Sequence, residues 1–164
     1  MLDCSGVVPW LSVIIKTSRR FRYNDKLSGT PDYLIATRSA LGKTVLEAPL
    51  VMVAEAKKND FEQGWGQCLA ELVAAQKING DAGFAVQGIV TDGKLWEFGK
   101  LAGNTFVKNI EGFTVDHLGK LFGALNFVFQ KAAFVLKSAK TNTSITGMNI
   151  LASVASSSDL SRSF

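Results

Sequence analysis

One histidine and two cysteines in 164 residues leave little material for nucleophilic or zinc chemistry. Cys4 and Cys68 stand far apart, with neither metal-ligand spacing nor a disulfide framework. They imply a reducing, cytoplasmic compartment. His117 opens a helical pattern and reads as a surface or capping residue, and no Ser/His/Asp or Cys/His set can be assembled around it. The first residues lack the basic start and long apolar run of a signal peptide. No stretch reaches transmembrane length without a polar or charged break, so no membrane is expected. Only three prolines occur, and Pro9 argues against a long helix through residues 1–10. A large charge excess is also missing. The formal net charge of +4 is compatible with a nucleic-acid partner without demanding one.

The length and the apolar content suit one domain with a real core. Ser12–Lys16 and Arg19–Tyr23 read as strands. The second alternates Arg20, Phe21, Arg22 and Tyr23, giving a basic face. Asn24-Asp25-Lys26 and Ser28-Gly29-Thr30-Pro31 are turn signals, and Tyr33–Thr37 is the next strand. Arg38–Ala48 reads as a polar connection, and Pro49 precedes the apolar run Leu50-Val51-Met52-Val53-Ala54. Asn59 is expected to cap a helix, with Glu62 three residues on as in a capping box. Phe61, Trp65, Leu69, Leu72 and Val73 form its apolar stripe, and Gln63, Gln67 and Glu71 lie four apart on another face. Gly64 and Gly66 imply an irregular or closely packed first turn. Asn79-Gly80 is the stop.

Phe84–Thr91 returns as strand. Asp92-Gly93 suits a type I′ hairpin turn, and Leu95–Lys100 and Thr105–Ile110 complete a meander. Thr114 to about Lys137 is a long helix with Leu118, Leu121, Phe122, Leu125, Phe129, Ala132, Ala133 and Leu136 facing the core. Gly119 and Gly123, four apart, imply close helix packing. The Ser/Thr-rich residues 138–164 read as a partly disordered tail. The order is β-β-β-α-β-β-β-α, an α/β fold with a mixed sheet flanked by helices. The domain is expected over residues 1–137.

Chemistry concentrates between Thr30 and Glu71. The apolar run ends in Glu55-Ala56-Lys57-Lys58, and strand alternation puts Glu55 and Lys57 on one face. If the neighbouring strand brings Asp32 to the same place, two carboxylates meet beside an ammonium. Close carboxylates repel and raise one another's pKa unless a cation separates them, an arrangement suited to a hard divalent metal.

Pro31-Asp32, then Glu55-x-Lys57 on an apolar strand, then a helix bearing Gln67, resembles the PD-(D/E)xK nuclease superfamily. The resemblance covers roughly residues 20–109 and lies nearest to the restriction-endonuclease-like N-terminal regions of type I restriction subunits. It implies a Mg²⁺-dependent deoxyribonuclease, with Mn²⁺ as a substitute. Asp32, Glu55 and the Ala56 carbonyl would be metal ligands. Lys57 would act on the water and the transition state, and Gln67 would contact water or phosphate. Arg20, Arg22 and Lys58 would bind the backbone of DNA, or of RNA, and a homodimer or a larger restriction or repair complex would be the assembly. Many members add an acid from an N-terminal helix. Here only Asp3 precedes the strands. Each residue also has a plainer reading: Asp32 as a turn residue, Glu55 and Lys57 as a strand-end ion pair, Lys58 as a solvated lysine, Gln67 and Glu71 as a polar helix face. The competing function is a binding module that keeps the fold without catalysis.

Overall fold

The computed structural model describes residues 14–16, 20–25, 27–39, 42–58 and 60–135. The elements follow as β1 (Ile14–Lys16), β2 (Phe21–Arg22), β3 (Ser28–Gly29), β4 (Tyr33–Ser39), β5 (Gly42–Ala56), α1 (Phe61–Asn79), β6 (Val86–Thr91), β7 (Leu95–Ala102), β8 (Thr105–Lys108) and β9 (Phe113–Thr114). A 3-10 turn, Val115–His117, leads into α2, residues 118–135.

The main sheet has seven strands in the order β1-β4-β5-β6-β7-β8, with β9 also paired to β7, while β2 and β3 form a separate ribbon. Only β5 and β6 run parallel. Antiparallel partners need just a turn, but a parallel pair needs a crossover, and α1 supplies it. Leu34 and Ile35, Val53 and Met52, and Val90 and Ile89 alternate across the sheet, so both faces are apolar. Leu34, Val53 and Val90 pack with Trp65, Cys68 and Leu72 of α1. Ile35, Met52 and Ile89 pack with Phe98, and with Leu121 and Val128 of α2. The result is three layers with a mixed sheet in the middle, the α/β architecture expected from the sequence.

Two features fix α1 along β5. Gly64 lets the helix lie close, since a Cβ there would stand 2.7 Å from Val90 and 3.1 Å from Lys57. At the other end Asn79 pairs with a single residue of β5: its Oδ1 accepts from the Leu50 N–H at 2.6 Å and its Nδ2 donates to the Leu50 carbonyl at 2.8 Å. Asn79→Ala strands both groups in a partly buried place and is expected to cost about 1–3 kcal/mol. A lower urea midpoint at unchanged m would register that loss, and an unchanged midpoint would show the clamp to be dispensable.

Several expectations need correction. The polar stretch before Pro49 is not a connection: β4 extends to Ser39 and β5 begins at Gly42, so the two form one long hairpin. Strand pairing outweighs local polarity there. Register shifts between Ile35 and Ala36 and again between Ala36 and Thr37 accompany Pro49, which has no N–H to give the ladder and joins Ala48 through a cis peptide. Ser28 and Gly29, read as turn, pair with β2. The helix cap is Asp60, whose carboxylate accepts from the Gln63 N–H at 2.9 Å. The turn after β6 is a tight hairpin set one residue later than Asp92-Gly93 implies: the Asp92 N–H donates to the Leu95 carbonyl at 3.3 Å, leaving Gly93 and Lys94 between them. The Asp92 carboxylate accepts from the Lys94 and Leu95 N–H groups, each at 2.8 Å, and those backbone bonds hold its pKa below the usual range.

On α2, Leu118 and Phe122 are 54% and 63% exposed rather than in the core. Gly119 and Gly123 face open space, with no described atom within 4 Å of an added Cβ. The stop at Gly80 is as expected, in the left-handed conformation at φ 71°. Trp65, Trp96 and Phe98 pack in the two cores, as expected of structural aromatics. Cys4, Arg19, Asn59, Leu136 and the tail from residue 138 lie outside the described residues.

Candidate functional site

The site begins at the end of β5. Antiparallel pairing sets Tyr33 opposite Ala54, so Asp32, just before β4, comes beside Glu55 and Ala56. Asp32 Oδ2 accepts the Ala56 N–H at 2.8 Å, which fixes the carboxylate at the strand end. Alternation turns Val53, Glu55 and Lys57 toward α1 and leaves Ala56 exposed. Lys57 Nζ lies 3.2 Å from Glu55 Oε2, so the same-face spacing read in the sequence is realised.

The residue that sequence reasoning undervalued is Glu71. It lies in the polar row Gln63, Gln67, Glu71, yet it is only 1% exposed, as is Glu55. Gln63 is exposed and Gln67 half-buried. Glu71 and Glu55 meet under the sheet end. Among the described residues no donor meets these four carboxylate oxygens in good hydrogen-bond geometry, and Lys57 approaches Glu55 as an ion pair. Burial pushes the Glu71 carboxyl up to about 9, and the adjacent Glu55 adds to the rise. Hydrogen bonds from the Gln67 side chain and the Thr30 backbone oppose it. At neutral pH Glu71 therefore keeps its proton. Gly29 explains the tight fit: a Cβ there would come within 2.3 Å of Glu71 Cγ. A glycine before Thr30-Pro31 was the one sequence signal for that close approach.

Cys68 is buried beneath the pair. Burial, then the Glu71 and Glu55 charges, push its thiol well above the usual range, which removes it as a nucleophile.

Above Glu71 opens a cavity of about 390 Å³, lined by Arg20, Ser28, Gly29, Thr30, Gln67, Ala70 and Glu71. Gln67 thus stands between the acid pair and the cavity. Arg20 borders it directly. Arg22 is exposed and ion-paired with Asp25 on the β2–β3 turn. Lys58 is exposed just past the strand end. The structure thus brings Asp32, Glu55, Lys57 and Gln67 into one region, with Arg20 at its edge and Arg22 engaged elsewhere. Ala56 takes part through its N–H to Asp32.

Among the described residues no group of three or more His, Cys, Asp and Glu side chains is placed to hold a metal ion. The acids that do meet are Glu55 and Glu71, a buried pair of carboxyl groups of the oxygen-donor type that hard divalent cations take. Nor is any helix among the described residues long and apolar enough to cross a membrane. No family model, curated protein or solved structure matches the chain.

Proposed function

We propose that this protein is a metal-dependent nuclease that hydrolyses phosphodiester bonds of DNA, acting in the cytoplasm alone, as a homodimer or within a larger complex. One observation carries the reading: two fully buried carboxylates, Glu55 and Glu71, meet at a strand end that also presents Lys57 and Asp32. Burying charged or shared acids is expensive, and a fold has no structural use for placing two of them together. Mg²⁺ or Mn²⁺ would supply charge to polarise a phosphate and to lower the pKa of a bound water.

In this reading Glu55 and Glu71 hold the cation. Asp32, held through Oδ2 by the Ala56 N–H, would lend its other oxygen to the cation. Lys57, tethered to Glu55, orients the attacking water and answers charge developing on the phosphate. Gln67 orients the water or the phosphate.

A second reading has its own support. A protonated Glu71 can satisfy Glu55 without any metal, which fits a non-catalytic nucleic-acid-binding module on the same fold. Incubation with single- and double-stranded DNA, and with RNA, in Mg²⁺ and in Mn²⁺ separates the two. Cleavage that disappears with chelation is expected. Absence of both cleavage and metal binding would leave the binding module.

A further inference from the structure

We propose that the cavity above Glu71 is a phosphate subsite, with the Arg20 guanidinium as the anion contact and Ser28 as the residue that aims it. The inference deepens the nuclease reading by naming where a phosphate ester is held. It rests on that reading only for the kind of strand bound.

The cavity has a closed end and an open end. Glu71 is buried at one, while Arg20, Thr30 and Ala70 are exposed at the other. Its volume of about 390 Å³ lies within the roughly 300–1,000 Å³ typical of small-ligand sites. Arg20 is the one cation among its described lining residues. Arg20 does not hang free in solvent: Nε and Nη2 both donate to Ser28 Oγ, at 3.1 and 2.8 Å. A guanidinium has five N–H donors in a planar fork. Two are spent on Ser28, which leaves three fixed in direction for a ligand. A preset fork beside exposed hydroxyl and amide donors matches the oxygens of a phosphate ester. Thr30 and Gln67 supply those donors from opposite walls, the β3–β4 connection and α1.

The acid at the closed end decides where the anion sits. Glu71 lies buried against a second acid, Glu55, and among the described lining residues no cation stands at that end, so the phosphate binds at the Arg20 end. Arg22, the other arginine of the ribbon, is already paired with Asp25 and does not compete. A purely structural role for Arg20, tying β2 to β3 through Ser28, predicts something different: a change in folding stability and none in ligand affinity.

The test measures binding rather than cleavage, with the full chain in a chelator. Three ligands are titrated: a labelled single-stranded DNA with hydroxyl ends, the same strand with a terminal phosphate, and a nucleoside monophosphate as competitor. Arg20→Ala is expected to weaken strand binding about tenfold, the loss typical of one charge-assisted contact. It should also lower the slope of log affinity against log salt by about one. Arg20→Lys keeps the charge but not the fork and should fall between. Ser28→Ala keeps Arg20 but releases it, and should lose a few-fold without changing the salt slope.

If only the phosphate-ended strand and the monophosphate respond, the subsite takes a strand end. If the hydroxyl-ended strand responds too, it takes an internal phosphate. Equal affinity of wild type, Arg20→Ala and Ser28→Ala for all three ligands overturns the proposal. Cleavage that persists in that case leaves the nuclease reading intact. Arg20-dependent binding without any cleavage would remove the nuclease reading and keep the subsite.

Discussion

Glu71→Gln is expected to make the protein more stable at neutral pH and inactive at the same time. The groups around Glu71 are the Glu55 carboxylate from β5, the Gln67 side chain and the Cys68 thiol from α1, and the Thr30 backbone. None of them is a cation that would favour ionised Glu71. Its folded-state pKa of about 9 lies above the ordinary 4.5. Below pH 4.5 both folded and unfolded chains hold the proton, and wild type and variant should have equal stability. As pH rises, the unfolded chain releases its proton and the folded chain does not. Wild-type stability then falls relative to the variant by up to about 1.4 kcal/mol per pH unit. The fall ends once pH passes the folded value, where both states are ionised. At pH 7 the expected gap is on the order of 3 kcal/mol. Glutamine fills the same space and its amide can donate to Glu55, so no cavity confuses the comparison. Urea melts of the two proteins at pH 5, 7 and 8.5, in a chelator, should converge at the acid end and separate above it. Curves that run parallel across the range would mean that Glu71 is not held neutral by burial. Cleavage lost alongside gained stability is the trade that functional acids in apolar surroundings commonly show.

Lys57→Ala should abolish DNA cleavage while metal binding survives, a loss of about 10²–10³-fold or more, as for removal of one transition-state charge contact. The acids should behave otherwise. Glu55→Gln and Asp32→Asn should lose metal binding and cleavage together. The isosteric changes are chosen because Asp32 also accepts the Ala56 N–H, and a truncation to alanine would free that donor and disturb the strand end. Gln67→Ala should be milder, about ten- to a hundredfold, as expected of a residue that orients rather than ligates. Mn²⁺ titration by calorimetry alongside single-turnover cleavage separates the two patterns. Equal cleavage by wild type and Lys57→Ala in matched preparations would point to a contaminating nuclease. Loss of metal binding in Lys57→Ala would mean that the lysine shapes the acid pair rather than the reaction.

The acid–lysine cluster was legible because strand alternation is rigid. Two residues apart on an apolar strand means one face, and Glu55 and Lys57 obey it. Their proximity to Asp32 followed from hairpin pairing of β4 with β5, although the hairpin itself proved longer than its polar middle implied. Glu71 was not legible in the same way. In the helix row of Gln63, Gln67 and Glu71 the last two read equally well as site residues and as a polar face, and nothing local decides between them. What buries its last member is the ribbon carrying Gly29, which folds over α1 from forty residues upstream in a register no local pattern encodes. The outward Leu118 and Phe122 of α2 fail for a related reason: a stripe wide enough to be core on paper meets a sheet that covers only part of it.

The ribbon of β2 and β3 stands outside the seven-stranded sheet, and this divides the site between two cooperative units. Asp32, Glu55 and Lys57 belong to the sheet and its edge, whose backbone is locked into continuous ladders. Arg20, Ser28 and Gly29 belong to two short strands joined by two residue pairs. Amide protons in such an element exchange with solvent through local openings, long before the central strands release theirs. Deuterium uptake at residues 20–29 should therefore run ahead of uptake at residues 50–56 and 86–91 in the free protein. A bound strand, gripping the ribbon against α1, should slow the first group and leave the other two unchanged, reporting occupancy even in a variant that cannot cut.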